Sequence, residues 1–269
     1  MDKTKELDIV RISSETIDTK KDLVIREIPF SILVNGKEIV TLLCSPDKLN
    51  YLAVGFLLSE GLIKSASIIK SITIGKDGNY ADVELDENLQ IPQGFFQKRI
   101  ISSGCGRGAY FYNPDDIKDC NPVASDIRLS YNLIFDLMKE FQEKSDLFKK
   151  TGGIHSSALC NQNKIEIFAE DIGRHNTVDK IFGECLLNHV STENKIILTS
   201  GRISSEILVK IIKRKIPVII SRAAPTDLAV GLAEKMGVTV IGFVRGKRMN
   251  IYTQKFRIVE VEHYGKKDF

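Results

Sequence analysis

With 269 residues, 43% of them hydrophobic, the chain can fill one large or two ordinary domains with a full core. Its 38 basic and 35 acidic residues leave a net charge of only +3, which argues against general binding to nucleic acid or to an acidic membrane surface. The start, MDKTKELDIV, lacks the apolar core of a signal peptide, and runs such as 238–244 are too short to cross a bilayer, so a cytoplasmic protein is expected.

After a polar first twenty residues, Leu23 to Ile28 and Phe30 to Val34 read as strands. Asn35-Gly36 is a hairpin turn leading into Glu38 to Cys44. Ser45 is expected to cap a helix with Pro46 at its first position, whose stripe of Leu49, Leu52, Ala53, Phe56 and Leu57, ending at Gly61, packs on that sheet. A second hairpin, Ile68 to Ile74 and Tyr80 to Leu85, turns at Asp77-Gly78. Residues 99–110, RIISSGCGRGAY, read as an exposed loop, and Leu129 to Phe141 marks a long amphipathic helix. From Thr151 onward strands and helices alternate through Val244, the pattern of an α/β sandwich, followed by a last strand from Met249 to Thr253. Two domains are expected: 1–118, a smaller α+β domain ending in the Cys105 loop, and 119–269, an α/β domain.

Polar and glycine-rich groups recur at strand ends. They are Thr151-Gly152-Gly153, Asp171 to Asn176, Ser200-Gly201-Arg202, Ser221-Arg222 and Arg245 to Arg248. Glu170 to Asn176 reads as a strand-to-helix junction, the corner where α/β proteins dock ligands. One such cluster can be a structural ion-pair net; several at successive loops suggest one assembled site. Arg174, Arg202, Arg222, Arg245 and Arg248 offer forked donors, and helices opening after 176, 203 and 225 offer free N–H groups, so a phosphorylated ligand is expected. There is no GxxxxGK[ST], and GCGRG at 104–108 is not followed by a helical pattern, so neither a P-loop nor a dinucleotide fingerprint is supported. His155 and His175 are candidates for acid–base or ligand roles, although a lone histidine beside a strand is more often a satisfied core residue.

The five cysteines, at 44, 105, 120, 160 and 185, form no CxxC pair, which argues against a disulfide framework and a zinc site. Cys44, Cys160 and Cys185 fall in apolar patterns and read as packing residues. Cys105 differs, because Gly104 and Gly106 leave its sulfur uncrowded and Arg107 favours the thiolate. Composition alone leaves a reactive and an incidental role equally open.

The strings TGGIHSSAL (151–159), EDIGRHNTVDK (170–180), SGRISSE (200–206), IPVIISRAAPTDLAVGLAE (216–234) and GFVRGKRMNIYT (242–253) resemble the formate dehydrogenase accessory sulfurtransferase family, FdhD/NarQ. NGKEIVTLLCSPDKLNYLAVGFLLSEGLI (35–63) and SSGCG (102–106) extend the resemblance over nearly the whole chain. It implies a cytoplasmic homodimer whose C-terminal domain is similar to the cytidine deaminase fold without its zinc. It further implies that sulfur is received as a persulfide from a cysteine desulfurase. The sulfur then passes to the molybdenum (or tungsten) bis-pyranopterin guanine dinucleotide cofactor of formate dehydrogenase, for which a guanine nucleotide such as GDP is a mimic. By motif, Cys105 is the persulfide carrier and Phe243, Val244, Arg245, Gly246, Lys247 and Arg248 bind the guanine dinucleotide; Arg174, His175, Arg202 and Arg222 join them as candidate contacts. Many members of the family carry CGxC in the cysteine loop, whereas this chain has Gly108 in place of the second thiol. The alternative is a chaperone that holds the cofactor or a guanine nucleotide without covalent chemistry. A nucleobase hydrolase is disfavoured, since HxE and PCxxC are missing.

Overall fold

The computed structural model describes residues 1–86, 100–101, 117 and 120–260. It has the α/β character expected, and divides into two compact units that interleave along the chain. Unit 1 comprises Met1–Phe111, Ser145–Ser157 and Phe168–Ser191; unit 2 comprises Tyr112–Lys144, Ala158–Ile167 and Thr192–Phe269. This partition cuts across the boundary drawn at 118, because the segments on both sides of residues 158–167 group with the N-terminal elements.

Unit 1 opens with an antiparallel ribbon, β1 (Thr4–Ile12) and β2 (Ile17–Ile25). The polar first twenty residues therefore do form strands. Charged and apolar side chains are equally numerous in the ribbon and few of them are buried, so no half-buried alternation marks it in the sequence. A second sheet has the order β5-β6-β3-β4-β7, from β3 (Ile28–Val34), β4 (Lys37–Cys44), β5 (Ile69–Ile74), β6 (Tyr80–Leu85) and β7 (Ile100–Ile101). The β3–β4 hairpin turns at Asn35-Gly36 as expected, and both residues have positive φ (50° and 74°), the conformation that Asn-Gly tolerates best.

Helix α1 (Leu49–Ser59) starts later than Pro46, and Ser45 does not cap it. Instead the buried Ser45 donates its N–H to Asp171 and accepts from the Ile172 N–H. Every residue of α1 from Leu52 to Ser59 is buried, so it is apolar all round rather than striped. Its main partner is α4 (Arg174–Leu187), with the β5–β6 edge as a lesser one. Glycines permit that approach: a Cβ on Gly55 would collide with the Asp179 carbonyl, and one on Gly183 with the Tyr51 carbonyl. The short α3 (Asp146–Thr151) packs on β2.

The six-stranded sheet has the order β10-β9-β11-β12-β13-β14, from β9 (His155–Cys160), β10 (Ile165–Asp171), β11 (Ile196–Thr199), β12 (Val218–Ser221), β13 (Thr239–Arg245) and β14 (Arg248–Ile251). Within unit 2, β11, β12 and β13 run parallel and β14 returns antiparallel on β13. The helices α5 (Ser205–Lys213) and α6 (Asp227–Lys235) connect the parallel strands, as crossover connections must. β11, β12 and the first half of β13 are continuous buried, largely apolar runs, the composition of a sheet covered on both faces. Helix α2 (Tyr131–Lys144) completes the unit, and the short β8 (Leu129–Ser130) before it pairs with β15 (Ile258–Val259).

Candidate functional site

In unit 1 the segment 170–180 is built mostly into the interior. Strand β10 continues through Asp171 and α4 begins at Arg174, so only Ile172 and Gly173 form the junction; the wider one drawn over 170–176 is corrected. Asp171 and Lys180 are an ion pair of 2.6 Å with both side chains fully buried. Asp171 also accepts from the N–H groups of Ser45 and Gly173 and from the Asn176 amide, while Lys180 donates to the Glu170 carbonyl. Asn176 reaches the Leu43 carbonyl, Thr177 shares a hydroxyl contact with Ser157, and Ser59 donates to Asp179 at 2.6 Å. These groups hold one another, as buried charges must.

The first turn of α4 keeps Arg174 and His175 half-exposed. His155 at the start of β9 faces them. Burial, then the positive charges of Arg174 and His175, hold its pKa below the ordinary value, against a weaker pull from Asp171. Glu170 behaves in the opposite sense: burial pushes its carboxyl up to about 7, opposed by Lys3 and a hydrogen bond from the Phe148 backbone, and aided by Asp146 and Asp47.

In unit 2 the loops at the C-terminal ends of β11, β12 and β13 are stitched together. Ser221 Oγ donates to the Gly201 carbonyl at 2.6 Å, and the N–H of Ile203 donates to Ala224. The N–H of Thr226 donates to Ile203, and that of Phe243 to Ala223. Arg202, Arg222 and Arg245 stand on this rim, with Arg245 Nε 3.3 Å from the Arg222 carbonyl. The helix N-termini are less open than expected, because the Ser204 and Thr226 hydroxyls accept from Ile207 and Ala229 and each first turn carries an acidic residue.

The most unusual backbone lies in β13. Phe243 has φ of 54°, a left-handed conformation that costs a bulky residue about 1–3 kcal/mol, and the β13–β14 register shifts between Gly242 and Arg245. This bulge re-aims the strand end, leaving Val244 buried while Arg245, Gly246, Lys247 and Arg248 are exposed. Gly246, with φ of 57°, makes the turn. Arg245 and Arg248 are cross-strand partners, an unfavourable like-charge pair, with Lys247 between them. None of Arg202, Arg222, Arg245, Lys247 or Arg248 joins an ion pair among the described residues.

The hairpin divides its cations. Arg245 turns to Arg222, whereas Lys247 and Arg248 line a groove of about 610 Å³ on the side of α2, together with Tyr131, Asn132 and Phe135 and with Ile258, Val259 and Glu260. The sequence reading missed the α2 and β15 residues of this groove; the aromatic spacing of Tyr131 and Phe135 at i, i+4 was its only signal. The structure thus brings Arg222 and Arg245 together, and Lys247 and Arg248 together. Arg174 and His175 belong to unit 1.

Cys105 lies outside the described residues. Burial pushes the Cys44 and Cys160 thiols up, far from the range in which a thiolate reacts, and Cys185 is buried as well. Among the described residues no group of His, Cys, Asp and Glu is arranged to hold a metal ion, and no helix is long and apolar enough to cross a membrane.

Comparison with known proteins agrees with the sequence resemblance. The model of the FdhD/NarQ family matches residues 25–259. The chain is 45% identical over 241 residues to the sulfur carrier protein FdhD of Bacillus pumilus (strain SAFR-032), covering 90% of this chain and 92% of that one. It is 41% identical over 253 residues to that of Bacillus subtilis (strain 168), covering 94% and 97%. The crystal structure of a putative formate dehydrogenase accessory protein from Desulfotalea psychrophila superposes with a TM-score of 0.80 at 28% identity, covering 96% of this chain and all of that one. With its family model spanning both units and its relatives matched almost end to end, this chain belongs to the FdhD/NarQ family.

Proposed function

We propose that the protein is a cytoplasmic sulfur carrier for formate dehydrogenase, in which Cys105 takes sulfur from a cysteine desulfurase and unit 2 holds the cofactor that receives it. The relatives' name, sulfur carrier protein FdhD, supports the carrier role. The observation that carries the cofactor-binding half is the hairpin at 245–248, where three exposed cations crowd a strained turn without a carboxylate partner. Such a tip is relieved by a polyanion, and the diphosphates of a pyranopterin guanine dinucleotide carry the charge to do so.

In the first step the Cys105 thiolate attacks the outer sulfur of the donor persulfide. A new S–S bond forms on Cys105, the donor S–S bond breaks, and the donor cysteine leaves as its thiolate. In the second step the outer sulfur of the Cys105 persulfide passes to the molybdenum or tungsten of the substrate, which supplies the two electrons that turn sulfane sulfur into sulfide, and Cys105 returns to thiolate. One thiol is enough for both steps, so Gly108 in the second loop position is no obstacle. Arg107 favours the anionic persulfide. Arg245, Lys247 and Arg248 bind and orient the substrate, and Arg202 and Arg222 extend the cationic rim.

Reconstitution with purified cofactor and apo formate dehydrogenase tests both halves. Cys105→Ala is expected to bind cofactor normally and to fail to activate the enzyme. Full activation by Cys105→Ala would instead identify a non-covalent cofactor chaperone.

A further inference from the structure

Strand β7 fixes where the segment that carries Cys105 begins. It runs parallel to β4, with Thr41 opposite Ile100 and Leu42 opposite Ile101, so both strands end on the same side of their sheet. Cys105 follows Ile101 by four residues. On that side β4 meets the start of α4. The Leu43 carbonyl, one residue beyond the partner of Ile101, accepts from the Asn176 amide at 2.9 Å, and Ser45 is bonded to Asp171 and Ile172. Neighbouring strands lie about 4.8 Å apart and four residues span at most about 14 Å, so the first turn of α4 is within the reach of Cys105. All of these elements belong to unit 1.

That turn presents Arg174 and His175, both half-exposed, while Asn176, Thr177, Asp179 and Lys180 behind them are buried. His155 joins them from β9. Ser157, two residues along the same face of that strand, meets the Thr177 hydroxyl at 2.7 Å, and Thr177 donates to the Arg174 carbonyl at 2.7 Å. After burial, the positive charges of Arg174 and His175 are the main reasons that His155 stays neutral at pH 7. Asp171 is spent on Lys180 and Asn176, and the first turn of α4 carries no acidic residue. The corner is therefore cationic, with imidazole N–H donors beside a guanidinium that is charged at every working pH. A thiolate or a persulfide anion gains from both.

We infer that Arg174, with His175 and His155, holds the anionic sulfur of Cys105: the guanidinium supplies the charge and the imidazoles supply N–H groups. The inference rests on the reading of Cys105 as the sulfur carrier, and it moves Arg174 and His175 from the cofactor to the cysteine. All three act as positioning residues for the sulfur.

Alkylation of Cys105 by iodoacetamide as a function of pH, read by mass on its own peptide in the full chain, tests the assignment. Arg174→Gln should raise the midpoint of the profile by about one pH unit, which slows alkylation about tenfold below the midpoint. Arg174→Lys should stay near the parent, and His175→Gln should shift the midpoint the same way by less. GDP affinity should change in none of them. An unchanged midpoint in folded Arg174→Gln overturns the inference and leaves the carrier reading standing. Loss of GDP affinity with the midpoint intact would return both residues to the cofactor. A parent whose Cys105 takes no sulfur from an active desulfurase overturns the carrier reading, and the persulfide part of the inference with it, even where the midpoint shifts. Proximity is tested separately with His175→Cys and the thiol oxidant diamide. A disulfide between position 175 and Cys105 is expected, and a new thiol that stays free or pairs only with Cys120 overturns the assignment.

Discussion

The segment 170–180 of unit 1 and the hairpin 243–248 of unit 2 look alike in sequence, each a run of charge and glycine at a strand end, yet they are opposite in structure. In the first, Asp171, Asn176, Asp179 and Lys180 are buried and spend their hydrogen bonds on one another and on Ser45, Ser59 and Leu43. In the second, Arg245, Lys247 and Arg248 are exposed beside a positive-φ phenylalanine and have no carboxylate partner among the described residues. A charged motif that is internally satisfied holds the fold; one left uncompensated on a strained turn is available to a ligand.

The contrast is broken most directly at Lys180. Lys180→Met strands Asp171 in the interior and should cost about 3–5 kcal/mol in urea unfolding, whereas the pair exchange Asp171→Asn with Lys180→Met should recover part of that loss. A loss below about 1 kcal/mol for the single variant would mean that the buried pair is not the knot described here.

Glu170 sharpens the comparison through pH. Its folded pKa of about 7 lies above the ordinary value of 4.5, so the folded state holds the proton more tightly than the unfolded chain. Its contribution therefore favours folding most below about pH 4.5 and is lost as pH rises through about 7. Glu170→Gln should flatten that part of the urea-midpoint profile, and an unchanged slope would place the titration on another group. The smallest stability effect belongs to the hairpin. Arg248→Ala should leave unfolding within about 0.5 kcal/mol of the parent while weakening GDP, since an exposed unpaired cation does little for the fold. A large destabilisation would give the hairpin a structural role instead.

Much of the fold was legible where local chemistry and tertiary demand agree. Asn35-Gly36 fixes a hairpin by φ alone, and the apolar runs 196–199, 218–221 and 239–244 can only be covered strands. β1 and the first part of β2 escaped, and only the half-buried end of β2 from Leu23 reads as strand, because a strand exposed on both faces has no alternation to read. Ser45-Pro46 imitates a helix start, but the Ser45 hydroxyl and N–H are claimed by residues 126 and more positions away, which no local pattern reveals. The close approach of α1 and α4 depends on Gly55 and Gly183, and a glycine in a helix looks the same in sequence whether or not another backbone touches it. For the site, residue types identified the cationic hairpin, but could not foresee that Arg245 bonds the Arg222 carbonyl while Arg248 lines the groove beside α2, because both contacts depend on tertiary placement.

The proposed function rests on Cys105 carrying sulfur without a second thiol in its loop. Incubation with a cysteine desulfurase and cysteine, followed by peptide mass measurement without reductant, tests it most directly. One added sulfur on the Cys105 peptide, absent from Cys105→Ala, is the predicted result. A folded protein that acquires no sulfur at Cys105 from an active donor would contradict it.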